Sequence, residues 1–96
     1  MKKYEILNSL KDHSLELNER FGIEQLALFG SYAKDEQNSS SDVDLLIIKI
    51  KKKNAFTLIK ARTFLSDLLG VKVDLGLFDS LRPFIKQRVE KDMIYV

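Results

Sequence analysis

The chain has 96 residues, of which 45% are hydrophobic and 31% are charged, and its formal net charge is +2. This composition is typical of a small globular protein and excludes collagen-like and disordered chains. With no cysteine and only one histidine, disulfides, thiol nucleophiles and Cys- or multi-His-ligated metal sites are excluded. We therefore expect one domain over residues 1–96, whose chemistry uses carboxylates, hydroxyls, backbone amides and a bound metal ion.

The first half of the chain predicts one helix and two strands. Apolar residues spaced three and four apart over residues 7–21 predict an amphipathic helix. The apolar run Ile23–Phe29 predicts a buried strand, followed by one helical turn over residues 31–34. Residues 35–41 are all polar and predict a loop, and the β-branched segment Val43–Ile50 predicts the strongest strand.

The second half predicts a further helix and strand. Asn54 is a good N-cap for a helix that ends at Gly70. Alternating apolar residues over 71–78 then predict a third strand, with Val71 on its inward face.

The end of the chain predicts a last helix near Pro83, capped by Asp79 or Ser80, and an edge strand over residues 94–96. The inward side chains of this last helix are expected to be Phe84, Ile85 and Val89. The element order indicates an α/β (α+β) fold, a small mixed β-sheet flanked by helices.

Two aspartates mark the start of the strongest strand. Residues two apart on a strand share a face, so Asp42 and Asp44 project side by side, away from the core side chain of Val43. Two carboxylates so close repel each other unless a cation lies between them. Hard divalent cations, Mg²⁺ above all, suit such a pair.

A third carboxylate, Asp74, is expected at the same edge of the sheet. The helix between the second and third strands implies a parallel crossover, which places the starts of both strands together. Gly30-Ser31 ends the first strand, and the short connection that follows predicts an antiparallel pair, so this turn reaches the same edge. Glycine lets a ligand approach the backbone, and the following amides and the Ser31 hydroxyl favour a phosphate. Phosphate beside a carboxylate-bound metal is the geometry of phosphoryl or nucleotidyl transfer.

These residues resemble a known family. Gly30-Ser31, a ten-residue gap and Asp42-Val43-Asp44 match the GS-x10-DxD signature of the DNA polymerase β-like nucleotidyltransferase superfamily. The surrounding Leu-Phe-Gly-Ser-Tyr-Ala-Lys and Ser-Asp-Val-Asp-Leu-Leu-Ile segments resemble its minimal nucleotidyltransferase (MNT) branch, and Asp74 falls where that family has its third carboxylate.

The resemblance implies the nucleotidyltransferase fold, two Mg²⁺ ions, and transfer of a nucleoside monophosphate from a triphosphate. It implies an MntA-type antitoxin that transfers AMP from ATP to a tyrosine of a HEPN-domain ribonuclease toxin. Asp42 and Asp44 would bind metal, and Asp74 would help to hold the catalytic metal and would deprotonate the acceptor. Gly30 and Ser31 would hold the triphosphate, and Lys34 would contact a phosphate as a point charge.

The sequence departs from the family at one place, where Lys34-Asp35 stands instead of the frequent Arg-Gly. The departure and the small size leave two alternatives open. One is a binding module that neutralises its partner by contact alone, and the other is nucleotidyl transfer to RNA or a small molecule. Asp74 alone is also compatible with an exposed strand residue paired with Lys72.

The lysine-rich segment and the apolar runs predict neither a nucleic-acid site nor a membrane span. Lysines 49 and 51–53 are more typical of a solvated strand end than of a nucleic-acid site, so we do not expect direct nucleic-acid binding. The longest apolar run, residues 45–48, is far shorter than a membrane span of about 20 residues. No signal peptide is evident, so a cytoplasmic protein without a membrane segment is expected.

Overall fold

The computed structural model describes all of residues 1–96. The helices are α1 (Lys3–Asp12), α2 (Ser14–Phe21), α3 (Gly30–Ala33), α4 (Ala55–Leu69) and α5 (Pro83–Glu90). The strands are β1 (Ile23–Phe29), β2 (Val43–Ile50), β3 (Val73–Leu77) and β4 (Ile94–Tyr95), and a short 3₁₀ turn spans Phe78–Ser80. None of the helices combines the length and the apolar character needed to cross a bilayer.

The four strands form one mixed sheet in the order β3-β2-β1-β4. Strand β1 runs antiparallel to both β2 and β4, whereas β2 and β3 are parallel and are joined through α4. The predicted mixed sheet, the antiparallel first pair and the parallel crossover are therefore confirmed. This connectivity places the end of β1 beside the starts of β2 and β3.

The hydrophobic core lies between one face of the sheet and helices α1, α2 and α4. Strand β2 contributes Val43, Leu45 and Ile47 to this core, each at most 2% exposed. Because side chains alternate along a strand, Asp44 and Leu46 lie on the opposite face. That second face carries the predicted carboxylate of β2, Asp44.

The predicted first helix is two helices, α1 and α2, which meet at His13. The backbone leaves the helical region there, with φ −106° and ψ 13°, and the His13 ring nitrogen Nδ1 lies 2.8 Å from the carbonyl oxygen of Ser9. Leu10 and Leu17 are nevertheless both buried in the core. The apolar spacing predicted the buried face correctly, but it could not locate the break within it.

The boundaries of α4 are as predicted. The Asn54 side-chain oxygen accepts hydrogen bonds from the backbone amides of Phe56, at 2.9 Å, and Thr57, at 3.3 Å. At the other end Gly70 adopts φ 68°, the left-handed conformation of a glycine cap. Strand β3 begins at Val73, so the expectation that Val71 belongs to the strand is wrong.

The last helix differs from its prediction in two respects. Arg82 is its N-cap, while the expected caps, Asp79 and Ser80, lie in the preceding 3₁₀ turn. Pro83 occupies the first turn, where its missing N–H costs nothing. The expectation that Phe84 points inward is wrong, because its side chain is 57% exposed, whereas Ile85 and Val89 are half-buried. The edge strand near the chain end is confirmed as β4.

Candidate functional site

The register of β2 and β3 brings the predicted carboxylates together. Asp44 and Asp74 are direct partners across the parallel pair of strands. The pair before them is Val43 with Val73, and the pair after them is Leu45 with Leu75. Partners in register project to the same face of a sheet. Asp42 precedes β2 by one residue and is about half-exposed. Asp44 and Asp74 therefore lie side by side at this edge of the sheet, with Asp42 close enough for its charge to act on Asp44.

This crowding changes the acidity of Asp44. Partial burial raises the pKa of the Asp44 carboxyl above its ordinary value of 3.8, and the negative charges of Asp74 and then Asp42 raise it further. Both causes disfavour the charged form. A cation at this edge would relieve the repulsion, as the sequence analysis anticipated.

Gly30 lies directly against the central carboxylate. It follows Phe29, which is the β1 partner of Asp44, and it adopts φ 73°. A β-carbon at Gly30 would overlap the Asp44 carboxylate oxygen Oδ2 and would lie 3.1 Å from its Cγ. Only glycine therefore permits this approach of backbone to carboxylate. Ser31 is the second residue of α3 and is partly exposed, and the leading amides of this short helix have no carbonyl partner within their own helix.

The structure gives a physical account of the Lys34-Asp35 departure. Asp35 adopts φ 58°, a left-handed conformation that glycine favours and that aspartate tolerates better than most residues. Its carboxylate lies 3.0 Å from the Lys3 ammonium nitrogen, so its charge is directed towards α1. Lys34 points elsewhere, and its ammonium nitrogen lies 3.8 Å from a carboxylate oxygen of Asp92.

Asp42, not Asp74, is the partner of Lys72. The Lys72 ammonium nitrogen lies 3.9 Å from Asp42 Oδ2, and both side chains are exposed enough for water to screen the pair. Pairing of Lys72 with Asp74, which the sequence left open, is not found. Asp74 therefore has no cation of its own within the protein.

A metal ion at this edge would need ligands beyond the protein. No group of three or more Asp, Glu or His side chains converges closely enough to hold an ion alone. Magnesium in phosphate-transfer sites is usually held by one or two carboxylates together with substrate phosphates and water. The Asp42, Asp44 and Asp74 set has the right oxygen donors and the right excess of negative charge for an Mg²⁺ ion that arrives with a nucleotide.

A cleft of about 480 Å³ opens on the other side of Gly30, between α3 and α5. Its apolar lining comes from three half-buried side chains and its charged lining from three cations and one carboxylate. These residues are Phe29, Ile85 and Val89, and Lys34, Arg88, Lys91 and Asp92. Arg88 and Lys91 are not among the site residues predicted from the sequence. They lie next to Gly30 because β4 returns antiparallel beside β1, a contact between distant segments that has no local signal in the sequence.

A second cleft, of about 640 Å³, shares no residue with the first. It lies between the polar loop of residues 37–41 and the turn of residues 70–72, with Asp42 in its wall. Lys72 is its only cationic side chain. Tyr32 also borders it but is only 4% exposed, so the packing role that we considered for this ring is the one observed.

Comparisons with known proteins point in one direction. The pattern of the nucleotidyltransferase domain family matches residues 10–96. A protein of Methanocaldococcus jannaschii, provisionally named protein adenylyltransferase MJ1217, is 41% identical over 93 residues, covering 96% of this chain and 95% of its own. Protein adenylyltransferase MntA of Thermococcus cleftensis is 37% identical over 92 residues, covering 96% of this chain and 93% of its own.

Solved structures agree on the fold. A structure described provisionally as a minimal nucleotidyltransferase superposes with a TM-score of 0.78 at 29% identity, covering 98% of this chain and 95% of that chain. A Shewanella oneidensis complex of a tri-AMPylated HEPN toxin with its MNT antitoxin gives a TM-score of 0.61 at 19% identity, covering 97% and 66% of the two chains. The second likeness concerns the fold alone. Together they confirm the fold predicted from the sequence.

Proposed function

This chain belongs to the nucleotidyltransferase domain family, and we propose that it is an Mg²⁺-dependent antitoxin that transfers AMP from ATP to a tyrosine of a HEPN ribonuclease toxin. The observation that carries this proposal is the Asp44–Asp74 register, with Asp42 beside it and Gly30 against the Asp44 carboxylate. Carboxylates beside a phosphate-accessible glycine turn are what metal-assisted nucleotidyl transfer requires.

Each predicted site residue has a role in this proposal. Asp42 and Asp44 hold the metal ions, and Asp74 helps to hold the catalytic ion. Gly30 and Ser31 bind the triphosphate through backbone amides and a hydroxyl, and Lys34 contacts a phosphate. When bound, Mg²⁺ would neutralise charge on the phosphate oxygens and lower the barrier to attack.

The acceptor step follows from the position of Asp74, which is exposed and has no cationic partner. Its carboxylate accepts the proton of the tyrosine hydroxyl as the tyrosine oxygen bonds to the α-phosphorus of ATP. The bond from that phosphorus to the bridging oxygen of the β-phosphate breaks, and pyrophosphate leaves with the electron pair.

The relatives support the choice of a protein acceptor. The two curated relatives described above are named protein adenylyltransferases, and the Shewanella oneidensis antitoxin is found with an AMPylated HEPN toxin.

The test is incubation of the chain with Mg²⁺, radiolabelled ATP and a HEPN partner, followed by mass spectrometry of the partner. We expect a gain of AMP on tyrosine that disappears when Mg²⁺ is chelated. Replacement of both Asp42 and Asp44 by asparagine should abolish the label, whereas Asp67→Asn, an exposed change on α4, should leave it intact. A folded wild-type chain that never labels its partner would refute the proposal.

The same variants decide between catalysis and neutralisation by contact. If the double variant at Asp42 and Asp44 still binds and silences the toxin, contact alone is sufficient. Label on RNA or on a small metabolite instead of the partner would identify a different acceptor class. Loss of both label and neutralisation in the double variant, with binding retained, supports the enzymatic antitoxin.

A further inference from the structure

The cleft between α3 and α5 carries charge that the fold does not use. Arg88 and Lys91 stand three residues apart at the end of α5, both exposed, and neither lies within ion-pair distance of any carboxylate. Lys34 faces them from the end of α3 and has only a long contact, 3.8 Å, to Asp92. Three cations therefore border one cleft against a single carboxylate, although the whole chain has a net charge of only +2. Such a concentration favours a compact polyanion.

The cleft joins the carboxylate edge through a single residue. Gly30 lines the cleft and its Cα also faces the Asp44 carboxylate. Only Gly30 therefore separates a ligand in the cleft from the Asp44 carboxylate. The cleft volume of about 480 Å³ falls within the usual range for small-molecule sites, about 300–1,000 Å³.

From this arrangement we propose that Arg88 and Lys91 of α5, with Lys34 of α3, bind the β- and γ-phosphates of the nucleoside triphosphate. This inference rests on the proposed nucleotidyl transfer and assigns the leaving-group side of that site. Pyrophosphate gains negative charge as it departs, so cations on this side stabilise the transition state as well as the bound substrate. The α-phosphate then lies towards Gly30 and the aspartates, where the acceptor attacks.

The second cleft does not offer the same chemistry. Its one cationic side chain, Lys72, is already 3.9 Å from Asp42, which is itself part of the wall, and the rest of the lining consists of uncharged side chains, backbone and Met1. A triphosphate placed there would have the Asp42 carboxylate nearby and no cationic side chain free to balance its terminal phosphates. The α3–α5 cleft is therefore the side on which the phosphate tail is bound.

Asp92 sets a condition on this binding. Its carboxylate lines the cleft and contacts Lys34, so a phosphate must replace it there. Removing the Asp92 charge should free Lys34 and remove a repulsion at once. Two residues of the same cleft wall should therefore have opposite effects. Loss of the Arg88 side chain should weaken nucleotide binding, whereas loss of the Asp92 charge should strengthen it.

The experiment measures dissociation constants of ATP, ADP and AMP in Mg²⁺ by calorimetry. For Arg88→Ala and Lys91→Ala we expect ATP binding to weaken about tenfold each, or about 1.4 kcal/mol, with AMP binding changed less than twofold. Matched controls are Arg62→Ala and Lys60→Ala on α4, which should change neither. Asp92→Asn should tighten ATP binding severalfold.

A second measurement needs no variant. In the wild-type chain, ATP should protect Lys91 from acetylation by an N-hydroxysuccinimide ester, while AMP should not, and Lys60 should be acetylated equally in both. Equal acetylation of Lys91 with ATP and AMP would overturn the inference, as would equal losses for ATP and AMP in Arg88→Ala.

The outcomes separate this inference from the proposed function. If the wild-type chain binds ATP and labels its partner but the Arg88 and Lys91 variants behave like their controls, only the phosphate assignment fails. If those variants bind ATP normally but lose the toxin, the cleft instead receives an acidic segment of the partner, which also overturns the assignment. If the wild-type chain neither binds a triphosphate nor transfers AMP, both proposals fail.

Discussion

Replacement of Gly30 by alanine tests the contact at the centre of the site. The added methyl group meets two separate obstacles. The backbone at Gly30 has φ 73°, which costs an L-residue about 1–2 kcal/mol. The new β-carbon also overlaps Asp44 Oδ2 and lies 3.1 Å from Asp44 Cγ, and overpacking of this kind costs about 1–3 kcal/mol. The expected loss in the free energy of unfolding is therefore about 2–5 kcal/mol.

Gly70 provides a matched control for the first obstacle. It has φ 68°, nearly the same strain, but an added β-carbon there has no neighbour within 4 Å. Gly70→Ala should thus lose only about 1–2 kcal/mol, the backbone term. The difference between the two variants isolates the overlap with Asp44 and should be at least about 1 kcal/mol, or about 4–8 °C in Tm for a chain of this size.

Urea unfolding followed by circular dichroism measures both losses, and AMP transfer is measured under conditions where each variant is folded. Gly70→Ala should transfer AMP at nearly the wild-type rate, whereas Gly30→Ala should be inactive because the Asp44 carboxylate is displaced. Equal losses of stability in the two variants would show that Gly30 is not in contact with Asp44, and the reasoning about the site would then be wrong.

Three further predictions concern Asp44 and a distant cap. Asp44→Asn removes a repelled charge, so the chain should be at least as stable as the wild type in urea while AMP transfer falls by about 100-fold or more, equivalent to about 3 kcal/mol in the barrier. Because the pKa of Asp44 is raised in the folded chain, the native state binds more protons than the unfolded state just above pH 3.8. The Asp44 contribution to stability should therefore fall as pH rises through this region without Mg²⁺, and Asp44→Asn should remove that slope from urea titrations. Asn54→Ala loses the two cap hydrogen bonds of α4 and should cost about 1 kcal/mol with AMP transfer unchanged; a loss of transfer at full folding would contradict the separation of this cap from the site.

The sheet and the carboxylate edge could be predicted because their signals are local. The alternation around Asp44 predicts which face it occupies, and the helix between β2 and β3 predicts a parallel pair. Parallel pairing then leaves only the register to be determined, and the structure sets Asp44 opposite Asp74. Asn54 and Gly70 were predictable for the same reason, since a cap depends on neighbouring backbone alone.

The features that the sequence could not provide depend on contacts between distant segments. Phe56 and Phe84 have the spacing of core residues, yet they are 77% and 57% exposed, because no second layer covers those sides of α4 and α5. The break at His13 leaves the apolar period of the first helices unchanged, so periodicity gives no sign of it. Arg88 and Lys91 were missed because only the return of β4 to β1 places them beside Gly30.

Helix α5 contributes more charge to the cleft than it contributes buried apolar surface to the fold. None of its residues is buried, and its apolar side chains Ile85 and Val89 are only half-buried. Burial of this extent contributes little compared with the fully buried side chains of α4. What α5 does provide is Arg88, with Lys91 at its C-cap, directed into the cleft beside Gly30. The molecule thus combines an excess of carboxylates on one side of Gly30 with an excess of cations on the other. In the proposed complex, Mg²⁺ would be attracted to the carboxylates and the triphosphate to the cations.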